Sequence, residues 1–225
     1  MFEFESLVPD AYPELFPQIN VAETDVVGDA AGPGRRFVVW LQGCAKRCPG
    51  CRNDEFLGRR VARVLDGQEL LRRALASGVD GITLSGGEPF LQARALLPLL
   101  VGARGNHLTV VCYTGYTLEE LRAQSESAFD ALLAEIDLLI DGDYRMDLPA
   151  GGSYRASANQ RLHFLTDRIL PDACQPAVET DVRIGRGAAV VTGTLPQRVL
   201  DAFWARLRRA GIEQSPVVRS RGKQH

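Results

Sequence analysis

The stretch R-F-V-V-W-L-Q-G-C-A-K-R-C-P-G-C, residues 36–51, joins a continuous apolar run to three closely spaced cysteines. The run 36–41 is apolar and rich in β-branched and aromatic residues, which predicts a buried strand. The cysteines follow at once in the spacing C-x3-C-x2-C, so they lie in a loop at the carboxyl end of that strand. In parallel α/β folds, this is the end at which binding and catalytic groups gather.

Strands and helices alternate through the middle of the chain. Further strands are predicted at 81–84, 107–113, 136–141 and 161–165, and helices at 66–78, around 91–103, from Thr117 and near 127–135. This order is typical of βαβ units and a parallel sheet. Five or six such units are too few for an eight-stranded barrel, so we expect an α/β fold with an open, partial (β/α)6-type barrel.

The two ends of the chain have a different character. Residues 1–35 read as a short N-terminal arm, residues 36–170 as the barrel, and residues 171–225 as a C-terminal appendage with a tail. Within the appendage, 182–192 predicts a β-hairpin with a glycine-containing turn. A helix capped by Thr194 is expected to follow it.

The arm and the first helix carry local signals of their own. The alternating stretch 19–27 predicts an edge strand. Asp66 is expected to cap the first helix, with Glu69 three residues later, and Thr117 with Glu120 forms the sequence of a capping box.

Composition limits the class of protein. The chain has 225 residues, 45% of them hydrophobic and 24% charged, and a formal net charge of -2. These values are typical of a globular protein and give no reason to expect nucleic acid or an anionic membrane as partner. No apolar run approaches the length of a membrane span, and the start M-F-E-F-E-S lacks the features of a signal peptide, so we expect a cytoplasmic protein.

The cysteine pattern favours metal over disulfides. Five cysteines are an odd number, and Cys44, Cys48 and Cys51 crowd into eight positions. Thiolates are the usual ligands of iron–sulfur clusters, and three ligands in one loop leave one iron of a cubane free to bind another molecule. The alternative is a structural zinc site, which needs a fourth ligand. Cys112 lies in a predicted strand and Cys174 stands alone, so neither is an obvious candidate.

A second motif follows the second predicted strand. In S-G-G-E-P, residues 85–89, Gly86 and Gly87 allow a ligand to approach the backbone closely. Glu88 adds an acceptor suited to an ammonium group. A plain tight turn before a helix has the same sequence pattern, so the motif alone decides nothing.

Together the two motifs resemble the radical S-adenosylmethionine (SAM) superfamily. The resemblance implies that Cys44, Cys48 and Cys51 hold a 4Fe-4S cluster whose open iron binds the methionine part of SAM. It also implies that residues 85–89 hold the methionine amino group. One electron from the cluster then cleaves SAM, and the resulting 5′-deoxyadenosyl radical abstracts hydrogen from a substrate.

Further strings resemble one branch of that superfamily, the activating enzymes of anaerobic ribonucleotide reductase and of other glycyl-radical enzymes. These strings are C-P-G-C-R-N, Y-T-G-Y-T, D-G-D-Y and S-A-N-Q-R, and the likeness covers roughly residues 18–166. It implies a glycyl-radical enzyme as partner and a flavodoxin or ferredoxin-type reductant. The cofactor contacts that it implies involve Gly50, Arg52, Gly86, Gly87, Glu88, Tyr113, Thr114, Tyr116 and Asn159.

Several alternatives stay open at this point. Arg52 stands where such activases commonly carry Tyr or His, and the two terminal extensions are unusual for the branch. A radical SAM enzyme acting on a small molecule or a peptide is therefore one alternative, and a zinc-binding protein without enzymatic activity is a more distant one. Tyr113 and Tyr116 are equally well explained as half-buried loop aromatics, and Asp141 and Asp143 as turn residues.

Overall fold

The computed structural model describes residues 13–149, 152–174, 180–184, 188–193, 197–211 and 213–214. Its strands are β1 (Ile19–Val27), β2 (Arg36–Leu41), β3 (Arg63–Leu65), β4 (Gly81–Gly86), β5 (Thr109–Tyr113), β6 (Leu138–Asp141), β7 (Arg161–Phe164), β8 (Thr180–Ile184), β9 (Ala188–Gly193) and β10 (Glu213–Gln214). Its α-helices are α1 (Gly67–Ala76), α2 (Ala93–Gly105), α3 (Leu118–Ala123), α4 (Ser127–Ala134) and α5 (Gln197–Arg209).

Seven strands form one mixed sheet in the order β3-β1-β2-β4-β5-β6-β7. The four central strands β2, β4, β5 and β6 are parallel neighbours. Strand β1 runs antiparallel to both β2 and β3, and β7 runs antiparallel to β6. The architecture is therefore mixed α/β with a mostly parallel core sheet, consistent with the expected partial barrel.

The parallel series is shorter than the sequence predicts. Strand β7 was expected to continue it, but β7 pairs with β6 in the opposite direction, with Asp141 opposite Arg161. Parallel neighbours need a long crossover, usually a helix, whereas a reversing loop joins antiparallel ones. The described part of the connection 142–160 contains no helix, so the chain turns back instead.

The predicted strand 19–27 forms as β1, but it is not the edge of the sheet. Strand β3, which the sequence did not predict, pairs with β1 on its outer side, so β3 is the edge strand. On its inner side β1 pairs with β2, from Val27 opposite Arg36 to Val21 opposite Leu41. The N-terminal arm thus contributes a strand to the same sheet as the cysteine-bearing strand β2.

The sheet has two unlike faces, because successive side chains of a strand point to opposite sides. One face packs on helices α1 to α4 and forms the main apolar core, with Val39, Ile82, Leu84 and Val110 among its buried residues. The other face carries Val38, Trp40, Thr83, Ser85 and Tyr113, which line a cavity.

Two predicted helix starts are confirmed. The Asp66 side chain accepts a hydrogen bond from the backbone N–H of Gln68 at 2.6 Å and caps α1. Thr117 and Glu120 form both bonds of a capping box, at 3.1 and 2.7 Å, and start α3. The second of these caps fixes the start of the helix that follows β5.

A buried arginine, Arg36, lies at the amino end of β2, on the face of the sheet that lines the cavity. Arg36 is fully buried and donates to the Thr83 hydroxyl at 3.1 Å and to the Thr109 hydroxyl at 2.6 Å. Burial lowers the pKa of Arg36 to about 10. Gly81 leaves room for the guanidinium, since a Cβ there would collide with it. The Thr83 hydroxyl in turn donates to the carbonyl of Ala31 in the preceding loop at 2.9 Å.

The C-terminal region has its own small sheet. The predicted hairpin is confirmed, because β8 and β9 are antiparallel, and β10 adds a parallel strand that was not predicted. Helix α5 buries Trp204 and Leu207. The expected cap Thr194 lies outside the described residues. Within the described ranges, no helix combines the length and apolar character needed to cross a bilayer.

Candidate functional site

All three motif cysteines line one cavity of about 220 Å³. Cys44, Cys48 and Cys51 follow the end of β2, and none of them forms a disulfide. Residues of β2, β4 and β5 also line the cavity, together with Ala30 and Ala31 before β2, the turns that follow β4, β5 and β6, and the 152–160 loop. The structure therefore gathers the cysteines and the glycine motif at the carboxyl ends of neighbouring parallel strands, as predicted.

Backbone hydrogen bonds fix the cysteine-bearing segment, residues 42–58, which we call the cluster loop. The N–H of Gly43 donates to Phe56 at 2.7 Å, and the N–H of Cys44 donates to Leu57 at 3.2 Å. The N–H of Cys51 donates back to the carbonyl of Cys48 at 3.1 Å. The two ends of the loop are thus tied together before any metal binds.

Three buried amide side chains, Asn20, Gln42 and Gln92, form hydrogen bonds that hold the ends of the cluster loop in place. The Gln92 Oε1 accepts from the backbone N–H of Asn20 at 2.7 Å, and its Nε2 donates to the carbonyls of Asn20 and Gln42 at 3.0 and 3.3 Å. The Gln42 Nε2 donates to the carbonyl of Gly58 at 2.5 Å. Sequence reasoning missed this network, and the sequence offers only isolated amides in apolar surroundings as a signal.

The surroundings raise the pKa of two of the three motif thiols. Burial raises the pKa of Cys44 to about 12, and the nearby Glu88 carboxylate adds to the effect. Backbone N–H groups of Lys46 and Arg47 act in the opposite direction, because they donate to the sulfur. Burial also raises the pKa of Cys48. Cluster binding must therefore displace protons, and the N–H donors to sulfur are of the kind that stabilises bound thiolates.

The S-G-G-E-P segment, residues 85–89, packs its backbone directly against the cluster loop; we call it the glycine turn. A Cβ on Gly86 would lie 2.5 Å from the backbone nitrogen of Leu41, and a Cβ on Gly87 would overlap the carbonyl oxygen of Gly43. The Gly87 N–H donates to Leu41 at 2.7 Å, and the Glu88 N–H donates to Gly43 at 2.8 Å. Both glycines also line the cavity. The close contacts just described, however, join the glycine turn to the backbone of β2 and of the cluster loop, not to a ligand.

Glu88 ties the glycine turn to the turn after β5. It is 1% exposed, and its Oε1 accepts from the Thr114 hydroxyl at 2.9 Å and from the Phe90 N–H at 3.1 Å. Its Oε2 accepts from the Gly115 N–H at 2.9 Å. Burial raises the pKa of Glu88 to about 7, and these hydrogen bonds oppose the rise. Glu88 also lines the cavity, and its predicted contact with an ammonium group stays a prediction.

The structure separates the residues of the Y-T-G-Y-T segment. Tyr113 and Thr114 line the cavity, but Tyr116 is not among its lining residues. Instead the ammonium group of Lys46 lies 4.3 Å above the Tyr116 ring and 3.4 Å from Glu120 Oε2. Lys46 faces the cavity, so it is held in place rather than simply solvated.

Arg52 lines the cavity with an unused donor. Its guanidinium lies 5.9 Å from the Tyr144 ring, and its Nε is buried without a hydrogen-bond partner among the described residues. A buried donor is costly unless something accepts from it, so the cavity suits a ligand with an acceptor near Arg52. Gly50 has φ +72, lies against Met146 and is not among the lining residues.

Asn159 lies outside the cavity, whereas its neighbour Gln160 is part of the cavity wall. The Asn159 side chain is exposed and donates to the carbonyl of Asp143 at 2.8 Å. Gln160 is buried and lines the cavity, where it accepts from Ala156 at 2.7 Å and donates to Gly142 at 3.0 Å. The sequence pointed to Asn159, whereas the structure places Gln160 in the cavity wall, and the predicted cofactor contact of this loop stays a prediction.

Asp141 has a structural place on the helix side of the sheet. It accepts from the N–H of Leu118 at 2.7 Å and from Arg161 at 2.6 Å. Burial would raise the pKa of Asp141, but the hydrogen bonds from Arg161 and Leu118 outweigh it and the pKa is lowered. Neither Asp141 nor Asp143 lines the cavity.

The donor set does not resemble a single-ion site. Among the described residues, no three His, Cys, Asp or Glu side chains could hold one metal ion. The zinc alternative therefore finds no donor set there. A cubane takes one thiolate on each ligated iron, so its ligands need not converge on one point.

Comparison with known proteins agrees with this geometry. The sequence model of a family described as "4Fe-4S single cluster domain" matches residues 30–163. The anaerobic ribonucleoside-triphosphate reductase-activating protein of Enterobacteria phage T4 is 34% identical over 145 residues, which cover 61% of this chain and 89% of the relative. The protein of the same name from Vibrio cholerae is 33% identical over 150 residues, 60% of this chain and 91% of the relative.

A second group of relatives is similar over a shorter stretch. The pyruvate formate-lyase-activating enzyme of Listeria monocytogenes is 35% identical over 106 residues, 43% of this chain and 42% of the relative. The chain therefore belongs to the 4Fe-4S single cluster domain family, as a radical SAM enzyme of the type that activates glycyl-radical enzymes.

Proposed function

We propose that this protein abstracts a hydrogen atom from one glycine of a partner enzyme and so leaves a radical stored on that glycine. The observation that carries the proposal is one cavity lined by Cys44, Cys48, Cys51 and the glycine turn. This cavity occurs in a chain whose alignment covers 89% of the length of an activating protein for anaerobic ribonucleoside-triphosphate reductase.

The residues present fit a cluster and SAM. The three free thiols supply the ligands, and the N–H groups that reach Cys44 help to stabilise its thiolate. Gly86 and Gly87 leave the cavity wall without side chains, and the unpartnered Nε of Arg52 can donate to a bound molecule. When bound, the cluster and SAM supply a one-electron cleavage that yields the 5′-deoxyadenosyl radical.

One part of the cavity wall is uncharged and favours an uncharged segment of substrate. It consists of Ala30, Ala31, Val38, Trp40 and Thr83. Apolar and aromatic walls exclude water, which would otherwise compete for a reactive radical. A glycine loop of a protein presents only backbone and no bulky side chain, so it suits this wall better than a highly charged metabolite.

The chain also needs a source of single electrons. We propose a flavodoxin or ferredoxin-type protein in that role, since both carry one electron at a time. A cytoplasmic location goes with this proposal, because the cysteines must stay reduced to ligate a cluster.

The decisive experiment looks for the product radical directly. The anaerobically reconstituted protein is mixed with SAM, a reductant and the glycyl-radical enzymes encoded beside it, and electron paramagnetic resonance (EPR) records the glycyl doublet. We expect a doublet with one partner and none when Cys48→Ala replaces the wild type. Formation of 5′-deoxyadenosine without a doublet for any partner would instead favour a small-molecule or peptide substrate.

A further inference from the structure

The cluster loop has a cavity side and a solvent side. Cys44, Lys46 and Cys48 line the cavity, whereas the alternating residues Ala45, Arg47 and Pro49 are exposed. Hydrogen abstraction requires the substrate to reach the cavity side. An electron needs only a close approach to the metal, so the solvent side offers it a separate entry.

The cluster loop and the residues just after it carry an excess of positive charge. Residues 44–63 contain six cationic and two acidic side chains, although the whole chain has a net charge of -2. Of the six, Lys46 and Arg52 line the cavity and Arg63 pairs with Glu23 at 3.2 Å, which leaves three arginines for the solvent side. Arg47, Arg59 and Arg60 are exposed, and Val61 beside them is 54% exposed. We call these four residues the basic face. An exposed apolar residue among like charges is the composition of a surface that meets a partner of opposite charge.

The backbone beneath the basic face is rigidly held next to the cysteines. The Asn20 Nδ2 donates to the carbonyl of Arg60 at 2.8 Å, and the Asn20 Oδ1 accepts from the N–H of Ala62 at 2.9 Å. Gln42 bonds Gly58, as described above, and Leu57 accepts from the Cys44 N–H. The backbone that carries Arg59 and Arg60 therefore has a fixed position beside the cluster loop, which lowers the entropic cost of docking.

We propose that the basic face docks an acidic one-electron carrier protein, which reduces the cluster through the solvent side of the loop. In that step one electron leaves the reduced carrier and lowers the cluster from its 2+ to its 1+ state, and no bond is made or broken. The glycine-bearing partner is a poorer occupant, because its hydrogen has to reach the cavity side. The inference rests on the proposed function for the presence of the cluster and for a one-electron carrier protein as its reductant.

The test measures cluster reduction and needs no glycyl-radical partner. Stopped-flow absorbance follows the holo-protein after mixing with a reduced acidic flavodoxin, at low and at high salt. The charge-reversed variant Arg47→Glu/Arg59→Glu/Arg60→Glu should be reduced about tenfold more slowly, or slower still, at low salt, because electrostatic steering of association is lost. Its rate should also lose the steep decrease with ionic strength that the wild type shows.

Matched controls separate docking from damage to the cluster. Photoreduced deazaflavin, a small donor, should reduce the variant and the wild type at the same rate. Arg35→Glu should keep the wild-type rate with flavodoxin, because Arg35 is exposed just before β2, at the opposite end from the cluster loop. If the triple variant assembles too little cluster, the neutral single variants Arg47→Gln and Arg60→Gln provide the same comparison with a smaller expected effect.

Two results overturn the inference. One is an unchanged flavodoxin rate with unchanged salt dependence in the charge-reversed variant. The other is an unchanged reduction rate combined with lost binding of the glycyl-radical enzyme, which would assign the basic face to that partner. Failure of the proposed function has a different signature, because it would leave the steering of cluster reduction intact and abolish only the glycyl doublet.

Discussion

The cluster loop and the glycine turn meet at the same end of the sheet, yet they are built in opposite ways. In the cluster loop, thiol side chains face the cavity, and distant amide side chains hold the backbone. In the glycine turn, the backbone faces the cavity, and its own side chain Glu88 is buried and anchors the turn to β5. The cluster loop therefore contributes reactive side chains to the cavity, and the two glycines of the glycine turn leave room there for a ligand.

This difference shows which changes each segment tolerates. In the cluster loop the ligand atoms cannot be exchanged, whereas the exposed residues Ala45 and Pro49 do not line the cavity. In the glycine turn any side chain is excluded at two positions, because the neighbouring backbone occupies the space. Substitutions in the two segments should therefore fail for different physical reasons, and measurements that separate those reasons test the comparison.

Removing a ligand should have the largest effect. Cys44→Ala, Cys48→Ala and Cys51→Ala each take away one of three thiolates, so iron content and reductive SAM cleavage should be abolished. The measurement is iron per protein together with 5′-deoxyadenosine formed under a strong reductant. Cys174→Ala is the control, since Cys174 packs in an apolar cluster away from the motif and should leave SAM cleavage intact. Cleavage that survives loss of any motif cysteine would contradict the assignment.

Filling the glycine turn should come next. Gly87→Ala places a Cβ against the carbonyl of Gly43, so either the turn or the cluster loop has to move. We expect a loss of about 3 kcal/mol in the free energy of unfolding and a lower cluster content, because overpacking against backbone cannot relax cheaply. Urea unfolding and iron analysis measure the two effects. Gly105→Ala is the control, since a Cβ there meets nothing within 4 Å.

The buried carboxyl of Glu88 should make stability depend on pH. Its pKa is about 7 in the folded protein against an ordinary value of 4.5, because burial disfavours the charge. Between pH 4.5 and 7 the folded state therefore binds more protons than the unfolded chain, and the free energy of unfolding falls as pH rises. The total loss is about 3 kcal/mol, complete above pH 7.

The comparison with Glu88→Gln isolates this effect from other titrations. The difference in unfolding free energy, wild type minus variant, should decrease from pH 4.5 to pH 8 in the metal-free protein. Urea unfolding at a series of pH values measures it. A difference that stays flat would mean that the buried carboxyl does not titrate in this range.

The amide network should contribute less, and through the cluster loop. Gln92→Glu keeps the acceptor for the Asn20 N–H and loses both donors, whereas Gln92→Leu loses all three bonds. Each should cost about 2 kcal/mol of stability through unpaired buried groups. The EPR spectrum of the reduced cluster is the sharper measurement, because a shifted loop alters the environment of the iron. An unchanged spectrum in both variants would show that the network serves stability alone.

Much of the fold and of the site could be read from the sequence because local signals agree with tertiary structure there. The strand 36–41, the Thr117–Glu120 capping box and the cysteine spacing each depend on residues close in sequence. The same holds for the hairpin of β8 and β9. Sequence patterns of this kind predict the strands and helices and their order along the chain.

What the sequence did not predict depends on distant contacts. Strand β3 is three residues long and exists because β1 pairs with it. The direction of β7 depends on how the connection 142–160 folds, not on the strand's own residues. The role of Gln92 depends on Asn20, 72 positions away. No local pattern carries such information.

The smallest expected effect tests the one-residue difference between Asn159 and Gln160. Gln160→Ala opens a polar part of the cavity wall and frees the carbonyl of Gly142, so the affinity for SAM should fall about tenfold, equivalent to about 1.4 kcal/mol. Asn159→Ala breaks an exposed bond to Asp143 and should change the affinity less than twofold. Equilibrium binding of SAM to the oxidised holo-protein measures both without turnover. If Asn159→Ala instead weakened SAM binding more than Gln160→Ala, Asn159 would be the cofactor contact. The 152–160 loop would then have to rearrange when SAM binds.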